Sequence, residues 1–221
     1  MSTHWKKDDV VAVSPFMSDI GFVHIPKTGG VSVKRWFKAI EHPLPERVDF
    51  PKQNTMPDAD WWFTIVRNPY DRMVSWYEWS YLNSQAQKYW ISNGRYPDEE
   101  CAGRLAKVEL TEKLYHKGFD TWLKEYVAVD SYLYDPQASW FDQVDLICKT
   151  ENLHTDFTIV KEKLGQSVEL RKYNWTKKQH KVSEYYSNWS WGFVYETYKE
   201  DFEKFQYSKT HFDRPVQLFG S

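Results

Sequence analysis

The sequence His-Ile-Pro-Lys-Thr-Gly-Gly-Val-Ser occupies residues 24–32, between an apolar run and an amphipathic segment. The apolar run, residues 20–25, predicts a short buried strand that Pro26 ends. Residues 33–40 place apolar side chains at the spacing of one helix face. A glycine-rich turn between a strand and a helix favours anion binding, because the helix start presents unpaired N–H groups and a favourable dipole.

The residues of this turn suit a phosphate group. Lys27 supplies a positive charge, and Thr28 and Ser32 supply hydroxyl groups. Gly29 and Gly30 let backbone N–H groups approach an anion closely. The turn alone is equally compatible with an ordinary Gly-Gly turn beside a solvated lysine. It is not a Walker A loop, in which the lysine follows the second glycine, and the chain lacks the S-x-x-K and S-D-N partners of a β-lactamase K-T-G triplet.

A second stretch, Arg-Asn-Pro-Tyr-Asp-Arg-Met-Val-Ser at residues 67–75, follows another apolar run. Pro69 suits the first position of a helix. Arg67 at the end of the strand and Ser75 inside the helix can converge on one anion, since arginine binds phosphate through two parallel hydrogen bonds. The alternative is that Arg67 pairs with Asp71.

The alternation of strands and helices continues along the chain. Residues 144–148 predict a third strand and residues 168–170 a short fourth one. Helical spacing of apolar residues recurs in residues 153–164 and 194–205. This order predicts an α/β fold, a three-layer α/β/α arrangement around a mainly parallel sheet. In such sheets ligands bind beyond the carboxyl ends of the strands.

Length and composition exclude several classes of protein. We expect residues 1–221 to form one domain, with a loop at residues 42–60 and a polar, largely helical insertion around residues 83–130. The formal net charge of −2 argues against nucleic-acid binding by bulk charge. Two cysteines are too few for a disulfide scaffold or a multi-cysteine zinc site, and the histidines lack metal-site spacing, so no metal is expected.

The hydropathy pattern bears on the location of the protein, and the aromatic content bears on its core and its ligand. No run of about 18 apolar residues and no apolar leader are present, so we expect no membrane span and a cytoplasmic location. Aromatic residues make up 18% of the chain. Most of them are expected in the core, although some can stack on a flat ligand such as a base or a sugar.

Together the two anion motifs resemble the sulfotransferase superfamily, which uses 3′-phosphoadenosine-5′-phosphosulfate (PAPS). Residues 24–30 resemble the family's 5′-phosphosulfate loop and residues 66–77 its 3′-phosphate motif. The sequence of these motifs is most similar to the Golgi-type carbohydrate sulfotransferases, here as a soluble catalytic domain of bacterial or viral type. Weaker likeness lies in three later segments, at residues 137–141, 151–157 and 195–208. The resemblance thus covers about residues 21–208, and it implies a P-loop-like nucleotide-binding fold.

The resemblance implies a role for each residue of the two motifs. Lys27 would stabilise the charge that develops on the oxygen between the leaving phosphate and the sulfuryl group. The backbone N–H groups of residues 28–32, which include Gly29, Gly30 and Val31, would bind the 5′-phosphate together with the hydroxyls of Thr28 and Ser32. Val31 stands where the family usually has threonine, which removes one hydrogen bond of about 1 kcal/mol.

The resemblance also implies contacts outside the phosphate loop. Arg67 and Ser75 would bind the 3′-phosphate, which remains on the product adenosine 3′,5′-bisphosphate (PAP). A basic loop that closes over the cofactor is matched by residues 171–181, with Thr176, Lys177 and Lys178 as the expected contacts.

The catalytic base and the acceptor complete the expected site. Transfer to a hydroxyl requires a group that takes its proton, and residues 41–60 supply Asp49 as the first candidate and His42 as the second. The acceptor is expected to be a hydroxyl-bearing carbohydrate or small molecule. Part of the insertion is expected to line its cleft, through Trp90, Tyr96 and Trp122. Two other functions remain open: a P-loop-type nucleotide or nucleoside kinase, and a non-catalytic nucleotide-binding module.

Overall fold

A parallel sheet forms the centre of the structure, a computed structural model. It describes residues 20–44, 46–47, 59–126, 135–173 and 180–209. Within these residues the sheet has four strands: β1 (Ile20–Val23), β2 (Glu46–Arg47), β3 (Trp61–Val66) and β4 (Leu146–Lys149). All the pairings are parallel, in the order β2-β1-β3-β4. The predicted α/β class with a parallel sheet is therefore confirmed.

The strand order reverses direction at β1. The chain first moves from β1 to β2 on one side and then returns to place β3 on the other side of β1. In the register of β1 and β3, Ile20 lies opposite Trp61 and Val23 opposite Thr64. The connections that follow β1 and β3 therefore leave neighbouring strand ends in opposite directions, which is where ligands bind in open parallel sheets.

Helices account for most of the remaining described residues. They are α1 (Gly30–Ala39), α2 (Pro69–Ser92), α3 (Asp98–His116), α4 (Phe119–Tyr126), α5 (Leu153–Asp156), α6 (Thr158–Lys163), α7 (Asn188–Thr197) and α8 (Lys199–Lys204). Short 3-10 helices lie at Gln137–Trp140, Thr150–Asn152 and Val182–Tyr185. Each of the two late helical segments predicted from the sequence is thus divided into two shorter helices.

Two strand predictions differ from the structure. The short strand predicted at residues 168–170 is wrong, because this stretch has no regular structure and packs against α1. There the Trp36 indole N–H donates to the Val168 carbonyl at 2.9 Å. Conversely, β2 lies within residues 42–60, predicted as loop. A two-residue strand has no periodicity of its own and exists because β1 pairs with it.

The two faces of the sheet pack against different layers. Phe22 and Phe63 face a cluster with side chains of α1 and α6, together with Phe157 between α5 and α6. Val23 and Val66, which have the other strand parity, pack with Trp140 and Phe205. Successive side chains of a strand point to opposite faces. Apolar layers therefore cover both faces of the sheet.

The insertion packs onto α2. Its helices α3 and α4, together with α7 and α8, build an aromatic cluster in which the rings of Tyr77 and Tyr115 stack at 4.5 Å. Trp122 lies in this cluster and is fully buried. The expectation that Trp122 lines an acceptor cleft is therefore wrong, because its indole is part of the core.

Asp201 links α8 to the 3-10 helix Gln137–Trp140. Its buried carboxylate accepts hydrogen bonds from the backbone N–H groups of Gln137 and Ala138, at 2.9 and 2.8 Å, and from the Gln137 side-chain amide at 3.1 Å. These contacts satisfy the start of the 3-10 helix Gln137–Trp140, whose first N–H groups have no partner inside the helix.

We predict that Asp201→Ala lowers the free energy of unfolding by about 2–4 kcal/mol, because it leaves buried N–H groups without an acceptor. Urea denaturation followed by circular dichroism measures this change. Asp142→Ala is the control, since Asp142 is exposed and its loss should cost less than about 0.5 kcal/mol. Equal stabilities for the two variants would show that Asp201 is not a structural link.

Candidate active site

The loop between β1 and α1 turns through two left-handed residues. Gly29 has φ of 101° and Lys27 has φ of 71°. A side chain in this region costs roughly 1–2 kcal/mol, so the conformation of Lys27 is held by its surroundings. Gly30 begins α1 against the His24 ring, where a Cβ atom would lie 2.2 Å from the imidazole Cδ2. The two glycines are therefore required by the turn and by the close approach of His24.

The hydroxyl groups of the loop contact the protein itself. Thr28 is fully buried, and its hydroxyl donates to the Ile25 carbonyl at 2.8 Å. The Ser32 hydroxyl accepts from the Tyr173 backbone N–H at 2.9 Å. Ser32 thereby anchors the segment that precedes the predicted basic loop. Backbone N–H groups at the start of α1, such as those of Gly30 and Val31, have no partner inside the helix and suit an anion.

Arg67 links the ends of β1 and β3. Its Nη1 donates to the Lys27 carbonyl at 2.9 Å, and its Nε donates to the Asp71 carboxylate at 2.7 Å. The Gln137 side-chain amide accepts from the Arg67 backbone N–H at 2.9 Å and donates to its carbonyl at 2.8 Å. The sequence left open whether Arg67 pairs with Asp71 or binds an anion. In the structure Arg67 pairs with Asp71 and also contacts the loop after β1.

Asn68, the residue after Arg67, is held by Glu151 and caps α2. The Asn68 backbone N–H donates to Glu151 at 2.7 Å, and the Tyr207 hydroxyl donates to the other oxygen of that carboxylate at 3.1 Å. The Asn68 side chain accepts from the Tyr70 backbone N–H at 3.0 Å, which makes it the N-cap of α2. The later segments that resembled the family thus position the turn that follows β3.

Thr150 connects the phosphate loop to the sheet. Its single O–H is shared between two carbonyl oxygens, that of Thr28 at 2.6 Å and that of Val66 at 3.0 Å. At the same edge, the Asp156 carboxylate accepts from the Lys149 backbone N–H at 2.7 Å. The end of β4 is therefore joined to both the loop after β1 and the end of β3.

Positive charge is concentrated around the loop. Burial, together with repulsion from Arg67, lowers the pKa of Lys27 to about 7. The Lys27 ammonium lies over the Trp79 indole, 4.7 Å from the ring centroid. Arg72 is buried on α2, and its Nε donates to the Pro26 carbonyl at 3.2 Å. An anion at this edge of the sheet would relieve the repulsion between these cations.

Sequence reasoning missed Arg72 and Trp79. Burial lowers the pKa of Arg72, yet a guanidinium remains charged in proteins. Its buried Nη2 has no hydrogen-bond partner among the described residues, and the carboxylates of Asp201 and Asp135 favour its charged form. Arg72, Ser75 and Trp79 follow one another on α2 at intervals of three and four residues. That spacing was the available signal, because side chains three or four residues apart share a helix face.

The other predicted site residues have different positions. Ser75 is buried on α2, one turn after Arg72. His42 follows the far end of α1, about 15 Å along the axis of this ten-residue helix from Gly30, and its ring packs edge-on against Phe37. The structure therefore does not bring His42 to Lys27.

The remaining candidates lie outside the described residues. These are Asp49, Thr176, Lys177 and Lys178. Asp49 comes two residues after Arg47, which ends β2 opposite Val23. Because β1 and β2 are parallel, the segment that leads to Asp49 begins at the edge of the sheet that holds the phosphate loop.

No group of three or more His, Cys, Asp or Glu side chains among the described residues is arranged to hold a metal ion. No helix in the same part of the chain is long and apolar enough to cross a membrane.

Comparison with known proteins identifies the class of this one. The family model described as the sulfotransferase family matches residues 13–190, which is most of the chain. The protein therefore belongs to the sulfotransferase family, and the resemblance drawn from its two anion motifs is confirmed. No curated protein and no solved structure matches the chain significantly.

We predict that Lys27 titrates near pH 7 in the free protein, because burial and the Arg67 charge both disfavour the ammonium. The side-chain nitrogen signal, followed by NMR from pH 5 to 11 and assigned with Lys27→Arg, measures this pKa. Arg67→Gln should raise it by removing the repulsion. A wild-type pKa near 10 would contradict the electrostatic description of the site.

Proposed function

We propose that this protein transfers a sulfuryl group from PAPS to the hydroxyl of a carbohydrate acceptor. The observation that supports this most strongly is the pair of cationic side chains at adjacent strand ends. Lys27 follows β1 and Arg67 follows β3, and a hydrogen bond of 2.9 Å joins the Arg67 guanidinium to the Lys27 carbonyl. Two cations at one topological switch point suit a nucleotide with two separate anionic groups.

The chemistry of the donor groups fits such a nucleotide. The start of α1 offers backbone N–H groups and the positive end of a helix dipole to a 5′-phosphate. A guanidinium has five N–H donors, and the two side-chain contacts of Arg67 use two of them. The others are available to a 3′-phosphate, together with the hydroxyl of Ser75 and the charge of Arg72. Thr176, Lys177 and Lys178 complete this proposed site as a basic cover.

The proposed mechanism depends on positioning and charge. Bound PAPS supplies a sulfuryl group, whose bond to the phosphate oxygen breaks as a bond to the acceptor oxygen forms. The ammonium of Lys27 stabilises the negative charge that develops on the departing oxygen. Phosphate charge opposite Lys27 favours its protonated form and thus opposes the effect of burial.

A base must take the proton of the acceptor hydroxyl. We propose Asp49, which follows β2 in sequence, for this role. His42 is the weaker candidate, because α1 separates it from the phosphate loop.

We predict that the protein binds PAP much more tightly than AMP, because only PAP has a 3′-phosphate for Arg67. Arg67→Ala should weaken PAP binding by about 10- to 100-fold, the loss of a charge-assisted hydrogen bond, and weaken AMP binding much less, because AMP loses only the support that Arg67 gives to the loop at Lys27. Isothermal titration calorimetry measures both affinities. Arg104→Ala is the matched control, since Arg104 lies on α3 and pairs with Glu100. Equal affinity of the wild-type protein for PAP and AMP would contradict the 3′-phosphate site.

We predict that Lys27→Ala lowers kcat by about 100-fold or more and changes PAP affinity far less, because its charge acts mainly in the transition state. Transfer of sulfur-35 from labelled PAPS to a panel of glycans measures kcat. Lys88→Ala, at an exposed position on α2, is the control.

The transfer should persist in EDTA, whereas loss in EDTA with rescue by Mg²⁺ would favour the kinase alternative.

A further inference from the structure

Trp79 is an exposed aromatic residue in direct contact with Lys27. The Lys27 ammonium lies 4.7 Å from the centre of its ring. Trp79 is 40% exposed, whereas Trp76, one turn earlier on α2, is 2% exposed and belongs to the aromatic core. The two rings meet edge to face at 6.4 Å. Trp76 therefore packs into the core at this point of α2, and Trp79 contacts both Trp76 and Lys27.

A large exposed indole at this position has a cost that packing does not explain. Exposed apolar surface forgoes the stabilisation of burial, and a lysine over the face of an exposed indole offsets little of this loss. The exposed part of the indole instead offers a flat apolar surface close to the Lys27 ammonium.

We propose that Trp79 binds the acceptor by stacking against the apolar C–H face of a pyranose ring, and so directs a sugar hydroxyl toward the sulfur. This inference rests on the proposed function. The acceptor oxygen has to come within about 3–3.5 Å of the atom it attacks. Because the Lys27 ammonium lies 4.7 Å from the centre of the Trp79 ring, a sugar ring stacked on this indole would lie close to the group that Lys27 contacts.

The structure favours Trp79 over the aromatic residues that the sequence suggested for this role. Trp122 is buried in the core. Trp90 lies near the end of α2, and Tyr96 follows that helix. The Arg95 guanidinium lies over the Trp90 ring at 4.5 Å from its centre, and the Arg104 guanidinium lies over the Tyr96 ring at 4.0 Å. Trp79 alone among these four contacts Lys27 in the described structure.

The test compares Trp79→Ala and Trp79→Phe with Trp189→Ala. Trp189 is the matched control, since it is 41% exposed and has a lysine, Lys124, at 4.2 Å from its ring, but it lies on α7. The probes are methyl β-galactopyranoside, chitobiose and maltose, with n-octanol as a non-sugar alcohol. Saturation-transfer NMR on the PAP-bound proteins reports acceptor contact without any need for turnover. Sulfur-35 transfer gives KM and kcat.

We expect Trp79→Ala to abolish saturation transfer to the sugar C–H protons and to raise the sugar KM by about tenfold, with PAP affinity within about twofold of wild type. Trp79→Phe should retain part of the contact, and Trp189→Ala all of it. Unchanged sugar contact in Trp79→Ala would overturn the inference. So would a wild-type protein that binds PAP and takes n-octanol but none of the sugars. A fall in kcat alone, with KM unchanged, would mean that Trp79 acts only on Lys27. Failure of the wild type to bind PAP would instead refute the proposed function.

Discussion

The hydrogen bond from the Arg67 guanidinium to the Lys27 carbonyl joins two loops that leave the sheet in opposite directions. It holds two cations close together in a partly buried place, which is unfavourable without a counter-charge. Asp71 neutralises part of the Arg67 charge, and burial together with repulsion from Arg67 lowers the pKa of Lys27. The architecture of this edge is therefore organised around charge that a bound anion would balance.

Carboxylates from distant parts of the chain, those of Glu151 and the buried Asp201, hold this arrangement together. Glu151 accepts from the backbone after Arg67, and Asp201 positions Gln137, whose amide binds both backbone groups of Arg67. Each carboxylate accepts backbone N–H donors that would otherwise be unsatisfied. Loss of solvation raises the pKa of Glu151 and of Asp201, because it disfavours the charged carboxylate.

The aromatic residues divide between two tasks. Most of them fill the layers around the sheet and the cluster between α2 and the insertion, where Tyr77 and Trp122 are buried. Trp79 differs because α2 extends past the phosphate loop and presents this ring to Lys27. A long helix that starts two residues after Arg67 thus places Arg72 near its beginning and Trp79 at its middle, and both contact the loop after β1.

The sequence by itself determined the strands β1 and β3, the helices that follow them, and the two anion motifs with Lys27 and Arg67. These features depend on spacing within about ten residues, where periodicity and turn chemistry act. Only the tertiary structure revealed β2, the burial of Trp122, and the contacts of Gln137 with Arg67. Such features join residues far apart in the chain, and a hydrogen bond or a buried surface between them exists only once the strands have paired and the helices have packed.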